Sequence, residues 1–334
     1  MTIRLPRLFT AANMPDTLAA AFDMATCEAE RVQIDASELG FIDPFGLSLL
    51  AAACERVGQA RRVVEVTAIN PVFSGYLERM DLFRQPWIIY PSAAASGRRD
   101  RRGSLVELRR LTAVRDVDRV AFDLGSVLLG QVPGLNEAAA RDEMTGFNEW
   151  DRMHEPLCHV FAELLQNSLT HARHHGYAHS NVWVSAQYYQ RSDKIHVGIA
   201  DTGCGFLASL RNHPQLRAKK HEPAIQLALQ PRVSCNRDVG LAGMGEESIN
   251  AGIGLTTTYR IARDADGRIA IVSGDACVWA EDNRNIAAVG IAYPYWQGAA
   301  LCLELPRANL TRLRLRNLMP PRDIGRQPPP IRFG

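Results

Sequence analysis

This chain of 334 residues has no apolar run that approaches the roughly 18 residues needed by a membrane-spanning helix. It also lacks an excess of either charge, because the formal net charge is +2, so nothing in this balance points to a nucleic-acid partner. The seven cysteines are scattered singly without a C-x-x-C pair, a pattern that argues against a disulfide framework or a zinc site. The first residues, MTIRLPRLFTAANMPDT, lack the basic and apolar regions of a signal peptide. We therefore expect a cytoplasmic protein with reduced thiols and no membrane contact.

What the chain does contain is enough apolar material for two folded units, since hydrophobic residues make up 46% of it and charged residues 22%. Residues 91–103, PSAAASGRRDRRG, combine small residues with four arginines and have no apolar periodicity, which indicates a linker. A basic contact patch is the alternative interpretation of this run. We divide the chain into a first domain over 1–90, a linker over 91–103, a second domain over 104–308 and a tail over 309–334.

Strand-like and helix-like stretches alternate in the first domain, which predicts a small α/β unit in which Pro44 opens a helix. The segments VQIDASELGFIDPFGLSLL and VVEVTAINPVFSGYLERMDLF resemble a STAS domain, the fold of anti-anti-sigma factors. Members of that family carry a phosphorylatable Ser or Thr before this helix, whereas the turn here reads Asp43-Pro44-Phe45-Gly46. The resemblance therefore implies a domain that does not switch by phosphorylation at this turn. A unit that serves only oligomerisation fits the same residues.

The second domain contains a helix pattern over residues 155–172, EPLCHVFAELLQNSLTHA, in which apolar residues recur every three or four positions. Glu163 and Asn167 are four positions apart, so they lie one above the other on the polar face of this helix. An Asn amide oxygen is a suitable neutral ligand for a magnesium ion that also holds phosphate oxygens. A carboxylate one turn away can accept a proton from an attacking water or hydroxyl group. On its own, this pair also fits a solvated helix face.

A β-hairpin follows, with strand-like alternation over residues 181–189 and 194–200. Its second strand runs into the sequence DTGCGF, which begins at Asp201. An Asp at a strand end can accept a hydrogen bond from an adenine amino group. Gly203 and Gly205 would let the backbone pass close to a flat base, although a plain tight turn is the alternative interpretation.

A third motif places Gly252 and Gly254 just before a helix that starts near Leu255. Backbone amides at such a helix start form a seat for phosphate. The order and spacing of the three motifs together resemble the GHKL ATPase family, which groups gyrase, histidine kinases and anti-sigma serine kinases. The resemblance implies that residues 104–308 form an α/β sandwich, with helices on one face of a mixed sheet and ATP beneath a mobile lid.

The resemblance also implies ATP and Mg²⁺ as cofactors and assigns their ligands by position. The implied residues are Glu163 as catalytic base, Asn167 for Mg²⁺, Asp201, Gly203 and Gly205 for adenine, and Gly252, Gly254 and Leu255 for the phosphates. The lid would lie between residues 206 and 252, where glycines at 240, 243 and 245 suit a hinged cover.

Within the family, Glu163 and the phrase NSLTHA favour the ATPases and the anti-sigma serine kinases over the histidine kinases. His154 does not serve as a transferable phosphoacceptor, because it lies on the same helix as Glu163. We expect a regulator that hydrolyses ATP or phosphorylates a partner protein on Ser or Thr in partner switching. The alternative is a nucleotide-gated binding module with negligible turnover. The expected partner is a protein, and a homodimer is also compatible with the sequence.

Two features fit the resemblance less well. The last strand contains Gly298-Ala299 where the family often has Gly-Thr, which puts a hydroxyl contact to adenine in doubt. Residues 276–297 form a stretch that is longer than a minimal fold of this type needs, and the sequence predicts no role for it. The histidines at 171, 174, 175 and 179 have a spacing that could hold a metal ion, although a position along the nucleotide pocket is favoured.

Overall fold

The computed structural model describes residues 1–90, 101, 103–130, 132–231, 233, 254–281, 287–290 and 295–313. They form a mixed α/β protein with a four-stranded parallel sheet near the N-terminus and a seven-stranded antiparallel sheet after it. Of the predicted linker, only residues 101 and 103 are described, and the predicted lid glycines lie outside the described residues. Among the described helices, none combines the length and the apolar character needed to cross a bilayer.

The N-terminal unit confirms the predicted α/β alternation. The strands of its parallel sheet, in sequence order and also in spatial order, are β1 (Thr2–Arg4), β3 (Arg31–Asp35), β5 (Val63–Thr67) and β6 (Ile88–Ile89). A separate two-stranded pair consists of β2 (Leu8–Phe9) and β4 (Phe41–Ile42). The helices are α1 (Met14–Thr26), α2 (Pro44–Gln59) and α3 (Pro71–Arg79).

Helix α2 begins at Pro44, as the sequence predicts, and Asp43 caps it by accepting a hydrogen bond from the amide of Gly46 at 2.7 Å. Thirteen of its 16 residues are buried, including small residues such as Ala51 that allow close packing. A helix that is apolar on every side must be covered on every side. Helix α2 meets this requirement because it lies between the N-terminal sheet and the seven-stranded sheet.

The seven-stranded sheet has the order β12–β11–β10–β13–β9–β8–β7. Its strands are β7 (Leu105–Leu111), β8 (Val182–Tyr189), β9 (Lys194–Asp201), β10 (Arg268–Gly274), β11 (Ala276–Glu281), β12 (Ala287–Gly290) and β13 (Trp296–Pro306). Each neighbouring pair in this described sheet is antiparallel, so the prediction of a mixed sheet in this half is wrong. The reason is that β8–β9 and β10–β11 are hairpins, and β13 returns between β9 and β10 in the direction opposite to both.

Helices cover one face of this sheet. They are α4 (Val117–Leu129), α5 (Glu149–Ala172), α6 (Gly205–Leu210), α7 (His221–Ala228) and α8 (Gly254–Asp264). The helix predicted over 155–172 is confirmed as α5, which begins earlier because Asn148 and Asp151 form a capping box at its start. Leu310 and Leu313, at the start of the predicted tail, pack into the core on this side of the sheet.

The second face of the sheet is covered by the N-terminal unit. Successive residues of a strand point to opposite faces, so Val182 and Val184 join the core beneath the helices while Trp183, between them, joins the core of the N-terminal unit. Val272 and Trp296 also face the N-terminal unit. The two units therefore share one apolar core.

A buried carboxylate fixes this contact. Glu55 on α2 is fully buried and accepts hydrogen bonds from Nε of Arg110 at 2.6 Å, Nδ2 of Asn181 at 2.7 Å and Nε1 of Trp183 at 2.7 Å. The guanidinium group of Arg110 also lies 5.0 Å from the ring centroid of Trp87. All three donors lie at or near the antiparallel sheet, whereas the acceptor belongs to the N-terminal unit, so this charge joins the two units.

Candidate functional site

A cavity that is partly open to solvent lies between α5, the end of β9, α6 and the start of α8. Asn167, Asp201, Gly205 and Leu255 line it, and they come from the three motifs that the sequence singled out. Most of the remaining wall is apolar, with side chains from α5, the sheet and α6. The structure thus brings into one cavity motif residues as far apart in the chain as Asn167 and Leu255.

Asp201 ends strand β9 with its side chain at the cavity wall and only 5% of the residue exposed. Its Oδ1 atom accepts hydrogen bonds from the amide of Gly203 at 2.8 Å and from the amide of Ala299 at 3.3 Å. Among the described residues no donor contacts Oδ2. Burial raises the pKa of the carboxyl group to about 7.

The two glycines after Asp201 are needed for close packing. A Cβ atom on Gly203 would lie 2.3 Å from the carbonyl oxygen of Ala172 at the end of α5. Gly205 has φ +73°, and a Cβ there would lie 2.7 Å from Oγ of Ser273. The turn is therefore pressed between α5 and strand β10, which brings its backbone close to the cavity.

Ser273 is a site residue that sequence reasoning missed. Its hydroxyl group donates to the carbonyl oxygen of Gly298 at 2.6 Å and accepts from the amide of Phe206 at 3.3 Å. It thereby joins the glycine turn to strand β13, at the place where Ala299 has no hydroxyl group of its own. No motif could have shown this role, because Ser273 lies on a strand that adjoins the turn only in space.

Helix α5 supplies Asn167 directly to the cavity wall, whereas Glu163, one turn earlier, does not line the cavity. The Glu163 side chain is 14% exposed, and its Oε1 atom lies 3.3 Å from Nε2 of His159. Burial raises the pKa of the Glu163 carboxyl group to about 7. The candidate base is thus held beside the cavity, with an imidazole as its neighbour.

The start of α8 packs directly against this part of α5. A Cβ atom on Gly254 would lie 2.7 Å from the amide nitrogen of Leu164 and 3.1 Å from the carbonyl carbon of Glu163. The N-terminal end of α8 therefore lies against the backbone of α5 at residues 163 and 164, and Leu255 reaches the cavity. Gly252, the other predicted phosphate contact, lies outside the described residues.

Of the four clustered histidines, His171, one turn after Asn167, lines the cavity, whereas His174, His175 and His179 do not. Burial lowers the pKa of its imidazole to about 4, so the ring is neutral near pH 7. Within the described part of the chain, no group of three or more His, Cys, Asp or Glu side chains could hold a metal ion. Further cavity residues that the sequence did not single out include Ser168 on α5 and Ser209 on α6.

The N-terminal unit touches the same turn from behind the sheet. Arg56 of α2 donates to the carbonyl oxygen of Thr202 at 3.5 Å, and Ser48 donates to that of Gly198 at 3.0 Å. A Cβ atom on Gly198 would lie 2.1 Å from the carbonyl oxygen of Pro44. Helix α2 is thus in direct backbone contact with the strand that carries Asp201.

No protein-family model matches this chain. The curated proteins also include no significant match to it.

Proposed function

We propose that this chain is an ATP- and magnesium-binding regulator of the GHKL type with a STAS-like N-terminal unit. It hydrolyses ATP or transfers the terminal phosphoryl group to a Ser or Thr of a partner protein. The observation that carries the proposal is the single cavity shared by Asn167, Asp201, Gly205 and Leu255. Each of the three motifs also occurs in other kinds of protein. Residues from all three in one concave site support a shared role in ligand binding.

The cavity fits an adenine base. Its wall is mainly apolar, as in most sites that bind a flat aromatic ligand. Asp201 presents Oδ2 as an acceptor, while its Oδ1 atom is already fixed by the amides of Gly203 and Ala299. An ionised carboxylate can accept a hydrogen bond from the exocyclic amino group of adenine.

The donor set also fits magnesium bound to phosphate. Asn167 offers one amide oxygen, and Mg²⁺ usually takes few protein ligands and keeps waters and phosphate oxygens. The ion would neutralise the negative charge that develops on the phosphates. Backbone amides at the start of α8, which packs on the backbone of α5 at Glu163, are proposed to bind the phosphate end of the ligand.

Glu163 is the proposed general base. A carboxyl group whose pKa is about 7 is well matched to accepting a proton at neutral pH. His159 lies at hydrogen-bond distance and can orient the carboxylate from the exposed side of α5. The proton would come from a water molecule or from the hydroxyl group of a partner protein.

One observation favours the second candidate, a nucleotide-gated binding module without significant turnover. Glu163 does not line the cavity, so a bound nucleotide could occupy the site without a base in contact with it. In that case occupancy would act only through the elements around the cavity, such as α6 and α8.

A separate protein is the proposed partner in both cases. The turn from Asp43 to Gly46, which corresponds to the switching turn of STAS domains, is buried against strand β9. A kinase active site could not reach this turn in the folded chain. The acceptor hydroxyl group is therefore proposed to lie on another molecule.

Calorimetric titration with ATP and ADP, with and without Mg²⁺, tests the binding proposal. Asn167→Ala should lose most of the gain in affinity that Mg²⁺ gives, because its amide oxygen is the proposed protein ligand. Asn136→Ala is the matched control, since Asn136 is exposed and contacts only its own loop. Equal magnesium dependence in both variants would exclude Asn167 as a ligand of Mg²⁺. No ATP binding by the natural protein would refute the proposed function.

A phosphate-release assay, with and without candidate partner proteins, separates the two candidates. Glu163→Gln should keep ATP affinity and lose about 100-fold or more of the turnover if Glu163 is the base. Glu155→Gln, an exposed change on the same helix, should keep both. If the natural protein binds ATP yet releases no phosphate and labels no partner, the binding module is the better description.

A further inference from the structure

Residues 295–297 end the stretch for which the sequence predicts no role, and each of their side chains contacts the site or an element beside it. Nε1 of Trp296 donates to the carbonyl oxygen of Asp201 at 3.1 Å. Nε2 of Gln297 donates to the carbonyl oxygen of Gly203 at 2.9 Å. The ring of Tyr295 stands edge-to-face with that of His221, with 5.5 Å between centroids.

The contact made by Gln297 fixes the glycine turn from the side that α5 does not cover. Gly203 already has the end of α5 against its Cα, where a Cβ would meet the carbonyl oxygen of Ala172 at 2.3 Å. Its own carbonyl oxygen is held by Gln297, and its amide is bound to Asp201. The turn is thus held on three sides, and Gln297 provides the one side-chain hydrogen bond to the Gly203 carbonyl among the described residues.

Tyr295 connects this hydrogen bond to helix α7. Its hydroxyl group donates to Oε1 of Gln297 at 3.3 Å, while its ring packs on His221, the first residue of α7. At the other end of α7, Ala228 lines the cavity. A continuous path of contacts therefore runs from the glycine turn through Gln297 and Tyr295 to a helix that forms part of the cavity wall.

We infer that Gln297 and Tyr295 are positioning residues of the adenine subsite, an assignment that rests on the proposed function. Gln297 holds the Gly203 carbonyl so that the turn, and with it Asp201, keeps the geometry that receives a base. Tyr295 orients the Gln297 amide and ties its position to α7. The stretch 276–297 thus contributes to nucleotide binding through the residues at its end.

Binding of adenosine and of ATP with Mg²⁺ to Gln297→Leu tests the assignment, because leucine keeps the size of the side chain and removes the donor. Loss of one hydrogen bond that positions the turn should weaken both ligands by the same factor, about fivefold. Gln59→Leu is the matched control, since Gln59 also donates to a backbone carbonyl, that of His179 at 3.0 Å, away from the turn. The control should bind both ligands like the natural protein.

A double-mutant cycle separates positioning from general structural damage. Tyr295→Phe keeps the ring on His221 and loses only the hydroxyl group, so it should weaken adenosine about twofold alone and have no further effect beside Gln297→Leu. The milder Tyr295→Phe change also provides a result if Gln297→Leu fails to fold. Independent, additive effects of the two changes would overturn the path from Tyr295 through Gln297.

Two other results count against the assignment in distinguishable ways. If the natural protein binds adenosine and ATP, and both variants bind them as tightly as Gln59→Leu does, the positioning role is wrong while the proposed function stands. If the natural protein binds neither ligand, the proposed function and this assignment fail together.

Hydrogen exchange adds a readout for α7, where adenosine should protect the amides of His221–Ala228 less in Tyr295→Leu than in the natural protein. Equal protection in the two proteins would exclude the link to α7.

Discussion

Replacement of Glu55 by Gln tests how strongly the buried carboxylate joins the two units. Glu55 is fully buried, and the two donors Asn181 and Trp183 contact different oxygens of its carboxylate. A glutamine of the same size has only one acceptor oxygen, so its NH₂ group must face one of these donors. The substitution therefore leaves that donor and the new NH₂ group, both buried, without an acceptor. It also removes the charge that Arg110 binds.

The magnitude follows from these losses. An unsatisfied buried donor costs about 1–3 kcal/mol, and two of them cost about 2–6 kcal/mol. The loss at Arg110 adds little, because its side chain is 34% exposed and water can replace the carboxylate. We expect Glu55→Gln to lower the free energy of unfolding by about 3–5 kcal/mol, which agrees with typical values for breaking a buried ion pair.

Urea unfolding followed by tryptophan fluorescence measures this loss, since Trp183 lies at the affected contact. Glu65→Gln is the control, because Glu65 pairs with Arg31 at 3.3 Å on the surface, where the Arg31 side chain is 63% exposed. The control should lose less than about 1 kcal/mol. A loss for Glu55→Gln no larger than that of the control would refute the view that this carboxylate joins the units.

Two further predictions concern Asp201 and Gly198. Because the pKa of Asp201 is raised to about 7, ATP affinity should increase between about pH 6 and pH 8 as the carboxylate ionises, and affinity that does not vary with pH would contradict its role as acceptor. Because the folded state binds this proton more tightly than the unfolded state, the contribution of Asp201 to stability is fully present below about pH 4 and is lost as the pH rises through about 7. Thermal unfolding of the unliganded protein across that range would detect the loss. Gly198→Ala should destabilise the protein by about 1–3 kcal/mol, because its Cβ would lie 2.1 Å from the Pro44 carbonyl oxygen. Gly75→Ala, in a helix with nothing within 4 Å of the added Cβ, should instead stabilise it by about 0.5–1 kcal/mol, and the same loss in both variants in urea unfolding would exclude this contact as the cause.

Local patterns in the sequence were sufficient to predict the elements that carry the site. Alternation over β8 and β9 and the three-to-four spacing along α5 depend on which face of an element is buried, so the residues themselves record them. The close approach of Asn167 and Asp201 could be predicted only through the order of the motifs and the family they resemble. The two residues meet in one cavity because of the tertiary structure, which no single motif predicts.

Other features depend on contacts between distant parts of the chain. Helix α2 is apolar on nearly every side, yet nothing near it in sequence showed that strand β9, about 150 positions later, would cover it. The antiparallel direction of β13 relative to β9 and β10 is equally invisible locally. Ser273 and Gln297 act on backbone carbonyls of neighbouring segments, so their side chains leave no periodic pattern to recognise.

The cover that α2 and its unit provide over the second face of the large sheet limits how this protein can be divided. A fragment starting at residue 104 would present Trp183, Val272 and Trp296 to water as one adjoining apolar surface, together with an unpaired Arg110. Such a fragment should associate or precipitate rather than fold as a soluble unit. Gene fusions, truncations and domain exchanges in this chain should therefore keep both units together, although residues 91–103 have the composition of a linker.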